Sequence, residues 1–409
     1  MRRAGALLAA ALAAVAAAGC TPGAGAGGDK VSGDVMRIYS SQPLSGPLAQ
    51  DATAVVRGER LALADVHDRV GKWRIDYRAL DDADPMTGTW DPGLVSANAR
   101  RAAQDDKTIA YLGEMATGAS AVSIPILNET GVLEVSPTDS VTGFTREAGA
   151  NPGEPDKYYP TRDENFARLA PPDDVQAAAL LQLLQDHHAK RLYLVHDQRL
   201  YGQGVARAVA RGAARRGVSV VEVKGVDMED ESEIAGLPKE AAAKGADAFL
   251  YAGGPDPPVP SLYDAVAKAL PQATLLGTYT QVNDAFARAV APGTRVLATA
   301  PWLGLKAYPP AARRLARRYE QRYGEPMPTI ALYGYEAMAV VLDAIRRAGG
   351  HGNDRAKLIK ELLDTRNRES VLGTYSIDRN GDSATKVYGA WRVEAGRASF
   401  ARVLDPLGA

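Results

Sequence analysis

From Val35 onward, short runs of β-type residues alternate with longer segments of helical period, an alternation that fits little besides parallel sheet covered by helices. Strand-type runs fall at Met36–Ser40, Trp73–Ala79, Ile109–Gly113, Val132–Ser136, Arg191–His196, Val218–Val223, Ala248–Ala252, Thr274–Gly277 and Val296–Ala300. Between them, Leu180, Leu183, Leu184 and His187 share one helical face, as do Tyr335, Met338, Leu342 and Ile345 ahead of Gly349-Gly350. So many strands overfill a single open sheet, and two doubly wound lobes in series account for them better.

The 409 residues carry a formal net charge of -1, and no dense Lys/Arg face interleaved with aromatics appears, so nucleic acid is not an expected partner. Arg2 and Arg3 followed by the apolar stretch Ala4–Ala18 read as an export leader too short to span a membrane stably. It ends at Ala17-Ala18-Gly19-Cys20, where small residues precede the single cysteine, as in a lipoprotein processing site. Lipidation of Cys20 is the expectation, with residues 1–20 as leader; plain cleavage after Ala18 is the other reading, because Ala17 stands where such sites usually carry Leu. A lipidated Cys20 leaves no thiol for a disulfide or a nucleophile. Residues 21–33, rich in Gly, Ala and Pro, read as a flexible tether.

Ligands on doubly wound sheets bind beyond the carboxyl ends of strands, so the loops there are the places to look. Three are rich in small and hydroxyl residues before a helix start: Gln42-Pro43-Leu44-Ser45-Gly46-Pro47, Gly113-Glu114-Met115-Ala116-Thr117-Gly118, and Ser136-Pro137-Thr138-Asp139-Ser140. Helix-terminal N–H groups with a Ser or Thr hydroxyl can hold a carboxylate without a metal or an arginine. Each loop taken alone also reads as an ordinary helix cap.

These residues resemble the type I periplasmic binding proteins, specifically the branched-chain amino acid (Leu/Ile/Val) receptor family of ABC importers. The likeness covers nearly the whole mature chain. It rests on Pro43-Leu44-Ser45-Gly46-Pro47-Leu48-Ala49-Gln50, Asp81-Asp82-Ala83-Asp84-Pro85, Gly113–Ser120, Val135-Ser136-Pro137, Tyr193–Asp197 with Tyr201-Gly202-Gln203-Gly204, Ala246–Leu250 with Gly253-Gly254, and Leu372–Asp378, in that order. The resemblance implies an α/β fold of two doubly wound parallel-sheet lobes joined by a three-strand hinge that closes on a solute. The amino-terminal lobe would take residues 34–168 plus 303–386, and the carboxy-terminal lobe 169–302 plus 387–409. It implies an amino acid or similar small polar solute, permease subunits as partners and no cofactor; a monomer is expected, attached to the membrane through lipid on Cys20. In the family, the loops matching Thr117 and Ser136–Ser140 hold the solute's α-carboxylate and α-ammonium. Tyr201 and an acid after the Gly-Gly turn, here Asp256, would arrive from the other lobe. Ser45, Asp51, Glu114, Ala116, Thr138, Asp139 and Ser140 complete the expected set.

Three places depart from the family pattern. Asp51 stands where relatives that take branched side chains can present an aromatic, and Glu114 where a small uncharged residue is common. Carboxylates facing the cleft would put leucine or valine in doubt; both could instead point into water at helix starts. Residues 146–165 form an insertion near the hinge that could meet the importer, cover the cleft or simply face solvent.

Enzyme signatures are missing: there is no Gly-x-Ser-x-Gly elbow, Walker loop or His-Glu-x-x-His pair. Gly202-x-Gly204 has Arg207 where a dinucleotide turn needs its third small residue, and His187-His188 has no partner at ligand spacing. Asp378-x-Asn380-Gly381-Asp382 has Gly389 where a calcium loop needs an acid, and reads as a hairpin turn between strands around Tyr375 and Val387. No metal is expected and no covalent chemistry is implied. The alternative of another class is a ligand-sensing receptor of the same fold coupled to signalling; a hydrolase on a related two-lobed fold stands behind it.

Overall fold

The computed structural model describes residues 30–84 and 89–407. The leader, Cys20 and the greater part of the tether, as well as Pro85 of the Asp81–Pro85 motif, lie outside the described residues. The end of the tether is docked: the Val31 N–H donates to Asn353 O at 2.8 Å, Asn353 Nδ2 donates to Val31 O at 2.7 Å, and Val31 is buried.

The first sheet contains β1 (Val35–Gln42), β2 (Arg69–Val70), β3 (Trp73–Asp81), β4 (Thr108–Leu112), β5 (Leu133–Ser136) and β6 (Phe166–Arg168). Its order is β2-β3-β1-β4-β5-β6, and every pairing except β2–β3 is parallel. The second contains β7 (Arg191–His196), β8 (Ser219–Gly225), β9 (Ala248–Ala252), β10 (Thr274–Gly277) and β11 (Val296–Ala300). After the small β12 (Arg368–Ser370) and β13 (Gly373–Tyr375) pair, β14 (Tyr388–Glu394) and β15 (Arg397–Leu404) return to it in antiparallel fashion. The resulting order is β15-β14-β11-β10-β9-β7-β8. Every residue of β4, β5 and β9 is buried, as parallel strands covered on both faces require.

Downstream helices rejoin the first sheet. Helix Ala331–Arg347 lies along helix Ala49–Asp65, and glycines set how closely the two backbones approach. A Cβ on Gly58 would stand 2.2 Å from Ala331 O, and one on Gly334 2.1 Å from Val55 O. No side chain fits at either position, so the crossing exists because both residues are glycine.

The chain passes between the sheets three times: after β6, after β11 and before β14. The first and third crossings are bonded to each other. The Arg168 N–H donates to Gly381 O, the Ser383 N–H to Arg168 O, and Ser383 Oγ to Leu169 O. Arg168, fully buried, pairs through Nε with Asp382 at 2.7 Å and donates to Val141 O, and Thr145 and Arg146 also bond Asp382. The hairpin turn expected between Tyr375 and Val387 is formed as a short one: Ile377 and Ser383 make an antiparallel bridge, and the Asp378 N–H donates to Asp382 O and the Ala384 N–H to Ser376 O, both at 2.8 Å, while Tyr375 itself pairs with Arg368 and Tyr388 with Leu404. Within it, Asp378 Oδ1 accepts the Asn380 and Asp382 N–H groups, making a tight turn that delivers Asp382 to Arg168. The 146–165 insertion is packed rather than loose. Tyr158 and Tyr159 join Phe144, Phe166, Ile124 and Val141 in a core cluster, and Gly149 O accepts from Arg211 of the other lobe at 3.1 Å.

Candidate functional site

A cleft of about 510 Å³ opens where the carboxyl ends of the two sheets face each other. The first lobe contributes Leu48 and Asp51 from the start of helix Ala49–Asp65, Trp90 and Pro92, the loop Met115–Gly118 after β4, and Thr138 after β5. From the second come Asp197, Arg199, Leu200 and Tyr201 after β7, Gly254 and Pro255 after β9, and Tyr279, Thr280 and Asn283 after β10. Trp302, on the second crossing, closes the floor.

The two hydroxyl-rich loops of the first lobe hold each other in place. Asp139, buried, accepts the N–H groups of Gly118 and Ser120 at 3.0 Å each and of Val141 at 3.3 Å. Ser136 Oγ donates to Glu114 O and accepts the Asp139 N–H, both at 2.7 Å, and Thr138 Oγ1 donates to Met115 O at 2.7 Å. Asp139 and Ser136 are therefore braces behind the cleft and not groups that reach into it. Ala116 lies on the cleft, and its backbone N–H has no acceptor among the described residues.

A chain of hydroxyls crosses between the lobes. Tyr279 OH donates to Thr117 Oγ1 at 3.0 Å, Thr117 Oγ1 lies 3.2 Å from Ser140 Oγ, and Ser140 Oγ donates to Asp173 Oδ1 at 2.6 Å. With Tyr279 and Ser140 committed as donors, the Thr117 proton points to Ser140, so the run is satisfied end to end. Tyr279 and Asp173 belong to the second lobe and Thr117 and Ser140 to the first, so this relay exists only while the lobes are together. Tyr201 OH donates to Gln176 Oε1 at 2.9 Å, and its ring meets Tyr279 at 5.0 Å between centroids; Tyr279 in turn meets Trp302 at 5.7 Å.

The carboxylates divide sharply. Asp51 lines the cleft, caps no helix N–H and has no partner among the described residues; burial pushes its carboxyl up to about 6. Glu114 does not reach the cleft. It lies beneath the Met115–Gly118 loop, accepts from Tyr111 OH at 2.8 Å and stands beside Asp82, which Ser41 Oγ bonds at 2.7 Å. Burial first, then the neighbouring carboxylates Asp82 and Glu134, hold Glu114 well above the usual carboxyl range, so it keeps its proton against Asp82. On the second lobe, Asp256 is occupied by Arg199 at 2.8 and 3.1 Å and by Tyr251 OH at 2.9 Å, and it stands behind the lining rather than on it. Asp197 accepts the Gly254 N–H at 2.8 Å and the Arg199 N–H at 3.1 Å. A Cβ on Gly202 would stand 2.2 Å from Asp197 Oδ1, which gives the Tyr201-Gly202 pair its local reason.

Of the residues expected from the sequence, Asp51, Ala116, Thr117, Thr138 and Tyr201 line the cleft. Ser140 stands just behind Thr117, and Ser45 is exposed outside the lining. Trp90, Arg199, Tyr279 and Trp302 also line the cleft and stand outside the expected set. The signal was present: Tyr279 and Trp302 follow β10 and β11 directly, where the rule for doubly wound sheets applies as it does in the first half. Among the described residues no group of His, Cys, Asp and Glu could hold a metal ion, and no helix is long and apolar enough to cross a membrane.

The family model described as periplasmic binding protein matches residues 37–398. Leu/Ile/Val-binding protein homolog 3 of Brucella melitensis biotype 1 is 24% identical over 356 residues, covering 87% of this chain and 90% of that protein. The crystal structure of a leucine binding protein from Thermotoga maritima superposes with a TM-score of 0.75 at 22% identity, covering 91% of this chain and 99% of that one. An ABC transporter solute binding protein from R. palustris, in complex with 4-hydroxybenzoate, superposes with a TM-score of 0.75 at 17% identity, covering 91% of this chain and 97% of that one. At these identities the structural likeness carries the fold, two lobes with a hinge between them.

Proposed function

The chain belongs to the periplasmic binding protein family, and on that premise we propose that it is an extracytoplasmic solute-binding lipoprotein of an ABC importer, anchored through Cys20, that captures an amino acid or similar small solute by lobe closure. One observation carries the reading: the cavity of about 510 Å³ is walled by both lobes, which meet through the Tyr279–Thr117–Ser140–Asp173 relay. That volume suits a small organic solute, with apolar walls and a few fixed polar groups. In this reading the Ala116 N–H, which has no acceptor among the described residues, holds the solute's carboxylate, Thr117 and Thr138 line the cleft beside it, and Tyr201, Tyr279 and Trp302 cover the solute's body. Ser136, Asp139 and Ser140 keep the carboxylate loop in shape. Closure draws on differential affinity, since a solute that touches both lobes favours the closed form over the open one. No bond is made or broken, and the permease receives the solute unchanged.

The aromatic lining favours a second solute class, aromatic acids, such as the 4-hydroxybenzoate held by the R. palustris protein. The test is a thermal-shift screen of the full chain carrying Cys20→Ser against amino acids, aromatic acids, polyamines, short peptides and sugars. Solutes released on unfolding are identified by mass spectrometry. A single class that raises the melting temperature and is recovered intact supports the reading. A chemically altered solute, or stabilisation by no small solute, contradicts it.

A further inference from the structure

Resting on the reading of this cleft as the solute site, we propose that Asp51 is the specificity-determining residue and that the solute is a small organic acid carrying a protonated nitrogen, which Asp51 receives. The other acids near the cleft are already satisfied within the protein. Asp139 accepts three backbone N–H groups, Asp197 accepts the Gly254 and Arg199 N–H groups, and Asp256 has Arg199 and Tyr251. Asp51 alone among them lines the cavity with no partner among the described residues. It sits in the first turn of helix Ala49–Asp65, but it bonds no N–H there, so capping does not explain it.

The charge balance points the same way. Among the described residues, Asp51 and Asp197 on the lining and Asp256 just behind it stand against the guanidinium of Arg199, which already forks onto Asp256. A simple aromatic carboxylate entering this field adds a further negative charge beside an unpaired one. A solute with an ammonium group removes the imbalance and gives Asp51 the charge-assisted bond it lacks. The apolar body and the carboxylate of such a solute meet the aromatic walls and the Ala116–Thr117 loop.

Matched acids that differ only in the nitrogen test this: phenylalanine against 3-phenylpropanoate for an amine beside the carboxylate, and 4-(aminomethyl)benzoate against 4-methylbenzoate for a distant one. Each is titrated by calorimetry into the full chain with Cys20→Ser, alone and with Asp51→Asn or Asp51→Glu. An amine-bearing acid should bind the parent at least about tenfold tighter than its amine-free match, and Asp51→Asn should abolish that ratio, whereas Asp51→Glu keeps part of it. The pair that responds locates the nitrogen. A role in folding alone would weaken both members of a pair equally. Amine-free acids binding the parent as tightly as their matches, or an Asp51→Asn ratio within about twofold of the parent's, overturns the inference and leaves solute capture standing. Binding of none of the four overturns it too, and solutes recovered from the purified chain then decide whether the cleft reading survives.

Discussion

Replacing Asp139 by alanine strands the N–H groups of Gly118, Ser120 and Val141 in a buried loop. Each orphaned donor costs roughly 1–3 kcal/mol, so Asp139→Ala should lose at least about 3 kcal/mol in denaturant unfolding, and Asp139→Asn, which keeps one carbonyl acceptor, distinctly less. Equal loss from the two variants would argue against the brace. Glu59 gives a pH signature. It is fully buried, with bonds from Ser40 and Tyr77, and burial raises it from its ordinary 4.5 to about 8. The folded chain therefore holds a proton that the unfolded chain releases, and stability falls as pH rises through that window, by at most about 1.4 kcal/mol per unit from this group. Glu59→Gln should flatten the melting-temperature profile between about pH 5 and 8 and raise the melting temperature at the upper end; an unchanged slope would contradict the assignment. Asp51 and Asp256 show how far single residues were legible. Both are acids beyond strand ends, Asp51 in the first turn of the following helix and Asp256 in a loop, but only the fold reveals that Arg199 occupies Asp256 and that Asp51 has no partner among the described residues.

At the scale of elements, the helix crossing depends on Gly334, where a methyl group would meet Val55 O at 2.1 Å. Gly334→Ala should destabilise the chain by about 1–3 kcal/mol through forced separation of the two helices, measured as a lower denaturant midpoint. The hinge offers a sharper case. Asp382→Ala leaves Arg168 buried without its carboxylate, and a loss of about 3–5 kcal/mol is expected from thermal or denaturant unfolding; a neutral outcome would mean that the crossing relaxes to admit water. Strands such as β4 and β9 were legible because parallel strands covered on both faces read as unbroken apolar runs. β6 and β12 escaped notice because three residues leave no period to read, and the turn at Asp378–Asp382 was legible as a turn but not as a device of the hinge. Its partner, Arg168, lies more than two hundred residues earlier in the chain, and no local pattern announces a pairing at that range.

For the whole molecule, the two-lobed architecture followed from the count of strands and from motif order. The cleft did not, because half of its wall arrives by long-range contact. Thr117 could be singled out from its hydroxyl-rich loop, but Tyr279 bonds it from the other lobe, and pairing across the hinge depends on how the lobes close. Removing that bond with Tyr279→Phe should shift the chain toward an open form and weaken solute binding by about 1 kcal/mol, with a larger radius of gyration in small-angle scattering at subsaturating solute. The most direct test of the central claim is amide hydrogen exchange of the intact chain with and without the solute released from it on unfolding. Capture between the lobes predicts coincident protection of the loop at 115–118 and the segment at 279–283, with the hinge-distal edge at β8 unchanged. Protection confined to one lobe, or to a surface away from the cleft, would contradict it.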